Sequence, residues 1–122
     1  AASDVYKRQY EEYLGVRPEN PAEGVLQDIH WSQGSFGYFP SYALGSAFGA
    51  QLYYHMKEIM DFDGLLKENR VDVIRDYLRE HIHQYGKLKD SRQILKDVTG
   101  EDFNPEYYVR YLKEKYSTVY GL

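Results

Sequence analysis

Seven side chains that can donate, accept or orient a proton crowd one short stretch of this chain: Gln27, Asp28, His30, Trp31, Tyr38, Ser41 and Tyr42. The stretch is rich in glycine (Gly24, Gly34, Gly37, Gly45). An imidazole or a phenol beside a cleft can donate a hydrogen bond to an oxygen that turns negative during a reaction. His30, Tyr38 and Tyr42 are candidates for that task. Asp28 could fix the tautomer of a nearby histidine or bind an ammonium group. The Gln27 amide could hold a peptide backbone. The same groups would also suit a structural loop whose polar atoms satisfy one another. Residue types alone leave both readings open.

Other catalytic patterns are missing from the sequence. It contains no His-Glu-x-x-His, no phosphate-binding glycine loop and no Gly-x-Ser-x-Gly elbow. His81 and His83 are two positions apart, so on a helix they diverge and do not chelate together. His55 stands alone in its helix and reads as structural. No set of metal ligands is expected in these residues.

The elements that must hold the loop read as five helices, which makes the chain all-α. The first spans about Asp4 to Leu14, with Tyr6, Tyr10 and Tyr13 on one face and Gly15 as a left-handed cap. Pro18, Asn20, Pro21 and Gly24 mark a loop. From Gly24 to Pro40 the pattern fits neither helix nor strand, so the backbone there must find other partners. The second helix runs from about Ser41 to Met60. Its first half is built of small residues (Ala43, Gly45, Ser46, Ala47, Gly49, Ala50), and glycine costs roughly 1 kcal/mol relative to alanine inside a helix. Two glycines four apart imply close approach of another backbone. Gln51, His55, Lys57 and Glu58 rule out a bilayer span, so tight packing inside a helical protein is expected.

A third helix, capped by Asn69, places Val71, Ile74, Leu78 and Ile82 on one stripe and stops before Gly86. Asp90 and Gln93 resemble a capping box ahead of Ile94, Leu95 and Val98, and Gly100 ends that helix. Asn104, Pro105 and Glu106 open the last helix, which should carry Tyr108, Leu112 and Tyr116 inward.

With 122 residues the chain is one domain or a piece of a larger one. A net charge of −4 argues against a general nucleic-acid binder. The absence of cysteine excludes a disulfide scaffold, thiolate metal sites and cysteine nucleophiles. No apolar run is long enough for a membrane span, and the cytoplasm is the default compartment. Fourteen tyrosines suit either a core beside a wet cleft or a surface that docks against more protein. Residues 1–9 look like a cut or non-native start.

Three segments carry a resemblance. Gly24-Val-Leu-Gln-Asp-Ile-His-Trp31 resembles the Gly-x-x-Gln-Asp-x-His-Trp motif of the carboxypeptidase Taq family. Gly37 to Gly45, followed by Gly49-Ala-Gln51, is similar to that family's next stretch. Leu78 to His83, Val98 to Glu101 and Tyr111 to Tyr116 resemble its closing helices. The match covers about Glu11 to Leu122, and Val5 to Gln9 do not fit it.

The resemblance implies the C-terminal part of the catalytic domain of a large, mostly helical zinc metallocarboxypeptidase with a deep groove. Such an enzyme removes single residues from the C-terminus of peptides. The zinc would be held by a His-Glu-x-x-His helix and a further Glu upstream of this segment, with an arginine for the substrate carboxylate also upstream. By that similarity His30 and Tyr42 are the catalytic candidates for stabilising the oxyanion, with Tyr38 in reserve. Gln27 and Asp28 take substrate contact or orientation, with Tyr38 also on the substrate wall. Trp31 packs the loop against the core. The partners implied are a peptide, the missing N-terminal part of the same enzyme and, at full length, a second copy. The segment alone is expected to be inactive. A helical binding module without chemistry is the alternative.

Overall fold

The computed structural model describes residues 2–122, with side chains described from residue 7 onward, so the expected placement of Tyr6 lies outside the described residues. Among the described residues every regular element is helical. The order is α1 (Ala2–Leu14), a 3-10 turn at Val25–Gln27, α2 (Ile29–Ser32), α3 (Pro40–Ile59), α4 (Phe62–Lys67), α5 (Val71–His81), a second 3-10 turn at His83–Tyr85, α6 (Ser91–Thr99) and α7 (Glu106–Tyr120). The chain divides into two units, residues 1–43 and 44–122. No described helix is long and apolar enough to cross a membrane.

In the first unit α1 ends at Gly15, whose φ of +68° is the left-handed turn that glycine adopts without strain. Its N–H closes on the Glu11 carbonyl at 3.1 Å. The loop after it is held by its own polar atoms. Asn20 Oδ1 accepts the Ala22 N–H, and Glu23 carboxylate oxygens accept the Glu19 N–H and the Asn20 amide. The stretch that reads as irregular holds two single turns. Asp28 caps α2 by accepting the His30 N–H. Its backbone finds partners turn by turn, as Gln27 N–H to Gly24 O at 3.0 Å and Trp31 N–H to Asp28 O at 3.1 Å illustrate. Trp31 meets Phe36 edge-on, with ring centroids 5.1 Å apart.

The second unit owns the apolar core: Ala47, Ala50, Tyr54 and Met56 of α3 with Ile74 of α5 and Ile94 and Leu95 of α6. Gln51 is 1% exposed in the middle of it. A buried amide must be satisfied at both ends. Its Nε2 donates to Asp102 O at 3.1 Å, and its Oε1 accepts the Asn104 N–H at 2.9 Å. The side chain thereby pins the α6–α7 connection to α3. Phe48 stacks on Phe103 beside it, with ring centroids 4.8 Å apart. Further along, the Tyr54 hydroxyl donates to Glu114 at 2.6 Å, Arg110 closes on the same carboxylate at 2.8 Å, and its guanidinium lies over the Tyr54 ring. Burial and the Glu114 carboxylate push the Tyr54 phenol up to about 12.

Several expectations change. A helix absent from the sequence pattern, α4, forms over Phe62–Lys67, capped by Asp61, which accepts the Gly64 N–H at 3.1 Å. A Cβ at Gly64 would run into that carboxylate, so the glycine makes the cap possible. Asn69 does not cap α5. Its φ of +56° ends α4 instead, while the Arg70 N–H reaches back to Leu65 O at 2.7 Å. Asparagine tolerates the left-handed region better than other side chains, which is why it sits there. Asp90 caps α6 through the Arg92 N–H, but Gln93 donates to Asp97 and makes no capping box. Asn104 does serve the α7 start, accepting the Glu106 N–H at 3.0 Å. Val71 and Tyr116 stay largely exposed, at 53% and 43%, so the α5 and α7 stripes are buried only in part. Gly45 and Gly49 adopt no strained φ, and a Cβ on either would meet nothing within 4 Å. Among the described residues the close approach expected of them is not made.

Candidate active site

The loop of the first unit gathers its polar side chains at α2. Asp28 is 6% exposed, and its position as the α2 cap aims Oδ1 at two nitrogens of one residue. That oxygen accepts the His30 backbone N–H at 3.0 Å and lies 2.6 Å from His30 Nδ1. The short distance is that of a charge-assisted bond. The other ring nitrogen, Nε2, is 3.4 Å from the Tyr42 hydroxyl. Tyr42 stands in the first turn of α3 and is 59% exposed, whereas the His30 side chain is mostly covered. Asp28, His30 and Tyr42 therefore form one hydrogen-bonded chain running from a buried carboxylate to open surface.

Aromatic rings enclose the imidazole. Tyr38 lies 4.7 Å from it, tilted, with Phe39 at 5.9 Å edge-on and Tyr42 at 5.7 Å. Tyr38 and Phe39 each meet Tyr42 edge-on. Such pairs add about 0.5–1.5 kcal/mol beyond their burial, so the cluster resists rotation of the imidazole. The bend that brings these rings round follows Gly37, whose φ is +72°. Pro40 then opens α3 without an N–H to satisfy. Two N–H groups of the first turn find backbone partners in the loop before it. Ser41 donates to Tyr38 O at 2.9 Å and Tyr42 to Phe39 O at 3.2 Å.

Gln27 turns its amide Nε2 onto the Ala22 carbonyl. With Tyr10, Asp28 and Phe39 it lines a recess of about 240 Å³. The structure thus joins His30, Tyr42, Tyr38 and Asp28 directly and sets Gln27 on the recess beside Asp28. Phe39 is the residue that sequence reasoning passed over. Its signal was its place between Tyr38 and Tyr42, which puts it in the same turn. The remaining histidines of the second unit lie in helices. His55 Nε2 is 3.2 Å from the Tyr77 hydroxyl, and the His81 ring lies against Tyr77.

Among the described residues no three His, Asp or Glu side chains converge as a metal site. The side chains gathered at α2 offer hydrogen-bond donation and acceptance.

The chain belongs to the carboxypeptidase Taq (M32) metallopeptidase family, whose model matches residues 2–116. That match extends over Val5 to Gln9, which the motifs alone had left out. Carboxypeptidase 1 of Bacillus subtilis is 46% identical over 97% of this chain and 24% of its own length. Thermostable carboxypeptidase 1 of Pyrococcus furiosus is 46% identical over 93% of this chain and 23% of its own. A solved Pyrococcus furiosus carboxypeptidase superposes with a TM-score of 0.83 at 45% identity, covering 94% of this chain and 23% of that one. An M32 carboxypeptidase from Deinococcus radiodurans reaches a TM-score of 0.88 at 27% identity, over 98% of this chain and 24% of that one. The chain spans about a quarter of the length of the curated relatives it matches.

Proposed function

We propose that this chain is the C-terminal part of a carboxypeptidase that removes single residues from the C-termini of peptides, and that residues 24–42 line one wall of its substrate groove. The residues that hold the zinc belong, in this reading, to the part of the polypeptide outside these 122 residues. The segment by itself is inactive. At full length the enzyme pairs with a second copy, as the sequence resemblance suggests.

One observation carries the reading: the Asp28–His30–Tyr42 chain, with a buried acceptor at one end and an exposed phenol at the other. Attack of water on a peptide carbonyl places a negative charge on its oxygen. Donors aimed at that oxygen stabilise the transition state more than the substrate, which is what accelerates the reaction. Tyr42 meets that oxygen, His30 acts behind it through the hydrogen bond to the Tyr42 hydroxyl, and Tyr38 stands in reserve. Gln27 and the recess it shares with Asp28 hold the peptide.

The test is His30→Ala and Tyr42→Phe in the full-length enzyme. Loss of one such donor typically costs about 2.7–4 kcal/mol in the transition state, so kcat should fall by about 100- to 1,000-fold in Tyr42→Phe, and His30→Ala should lower it through the loss of the Tyr42 partner. Turnover within a few-fold of the parent in both would remove the assignment.

A further inference from the structure

We propose that Asp28 is a positioning residue which fixes His30 as a hydrogen-bond acceptor, leaving the Tyr42 phenol as the group that donates to the substrate oxygen. This rests on the groove-wall reading above and assigns its proton.

The argument counts hydrogens. A carboxylate oxygen and a ring nitrogen 2.6 Å apart need a proton between them, and a carboxylate has none to give, so Nδ1–H donates to Asp28. A neutral imidazole has one donor and one acceptor. With Nδ1 protonated, Nε2 presents a lone pair and can give nothing to an oxyanion. The hydrogen in the 3.4 Å contact between Nε2 and the Tyr42 hydroxyl must then come from the phenol. That bond is long, and Tyr42 is more than half exposed, so the hydroxyl can turn away at small cost. A substrate carbonyl competes weakly for the phenol proton. A negative oxygen competes strongly, because a charge-assisted bond is roughly twice as strong as a neutral one. Tyr42 therefore changes partner as charge develops, which is the differential binding that catalysis requires.

The geometry at Asp28 also supplies the means to test it. Oδ1 alone takes both the His30 backbone N–H and the Nδ1–H. In Asp28→Asn the amide oxygen can occupy that position, because the NH2 group there would face the backbone N–H. The asparagine variant loses the charge and keeps the acceptor. Asp28→Ala loses both.

The measurement is the 15N spectrum of the His30 imidazole in this chain at alkaline pH, with kcat and KM taken in the full-length enzyme. The expected result is an Nδ1–H tautomer in the parent and in Asp28→Asn, and an Nε2–H or mixed tautomer in Asp28→Ala. With it, kcat should fall less than about tenfold in Asp28→Asn and by about 100-fold or more in Asp28→Ala, at nearly constant KM. Where Asp28→Ala fails to fold, the parent and Asp28→Asn spectra decide the tautomer and Tyr42→Phe the donor. An Nε2–H tautomer in the parent overturns the proposal, as does equal turnover of a folded Asp28→Ala and Asp28→Asn. Full turnover in both Tyr42→Phe and His30→Ala, with the Nδ1–H tautomer intact, would instead remove the groove-wall reading on which the donor role stands.

Discussion

Replacing Gln51 by methionine isolates the contribution of one buried amide to the second unit. Methionine keeps the length and nearly the volume of the side chain, so no cavity opens. What disappears is the donor to Asp102 O at 3.1 Å and the acceptor for the Asn104 N–H at 2.9 Å. The further approach to Thr99 is at 3.5 Å, too long to count for much. Each net hydrogen bond is worth about 0.5–1.5 kcal/mol, so the pair contributes about 2 kcal/mol. Unfolding entropy near about 2.1 cal/mol/K per residue gives about 0.26 kcal/mol/K for the 122 residues. The midpoint should thus fall by about 8 °C. Urea denaturation with linear extrapolation reads the free energy, and hydrogen exchange at the Asn104 amide reads the site. A variant within about 0.5 kcal/mol of the parent, with the Asn104 amide still protected, would show that the staple does not hold the α6–α7 connection.

Tyr54→Phe should flatten the dependence of stability on pH at both ends. The Tyr54 phenol is raised to about 12 from 10.0, so its contribution is complete below about 10 and is lost as pH rises through about 12. Glu114 is lowered from 4.5, first by the Tyr54 hydroxyl and then by Arg110, so its contribution is present above 4.5 and is lost as pH falls through the lowered value. Denaturation midpoints of parent and variant across pH check both arms, and parallel curves would contradict them. Gly49→Ala should stabilise this chain by about 0.5–1 kcal/mol, because the helix gains and the new Cβ meets nothing within 4 Å. Gly49→Val in the full-length enzyme should lower its midpoint sharply if the α3 small-residue face docks on the rest of the protein, and an unchanged midpoint would defeat that docking. Purified alone with added zinc, the chain should release no C-terminal residues from peptides, since catalytic zinc usually takes three convergent protein ligands.

Helices with a strong apolar period and a clear start were legible in the sequence. α6 and α7 announce themselves through Asp90, Asn104 and Pro105, and α3 through the length of its run. α4 was not, because six residues behind Asp61, Gly64 among them, leave no apolar period to read. In the structure Asp61 is the cap and Gly64 is the residue that admits it. Asn69 misled for a related reason: its side chain suits a cap, but its backbone tolerance of positive φ is what the turn uses. At the site, the sequence offered His30, Tyr38, Tyr42, Asp28 and Gln27 as residue types. It could not show that Asp28 Oδ1 serves two nitrogens of His30, or that Phe39 completes the ring cluster. Those facts depend on a turn of four residues, α2, too short to leave a period. The Gly45–Gly49 spacing read as a close approach, and among the described residues a Cβ on either glycine meets nothing within 4 Å.

The central claim is that these residues form one wall of a peptidase cleft whose metal-bearing part lies elsewhere in the polypeptide. The most direct measurement is complementation: a relative cut back to exclude the segment equivalent to residues 11–122 is co-expressed with this chain and assayed for zinc-dependent release of C-terminal residues. Release that returns with the parent chain and is lost with Tyr42→Phe is the predicted outcome. Two pieces that co-purify and yet release nothing, or that release equally well with Tyr42→Phe, would contradict it.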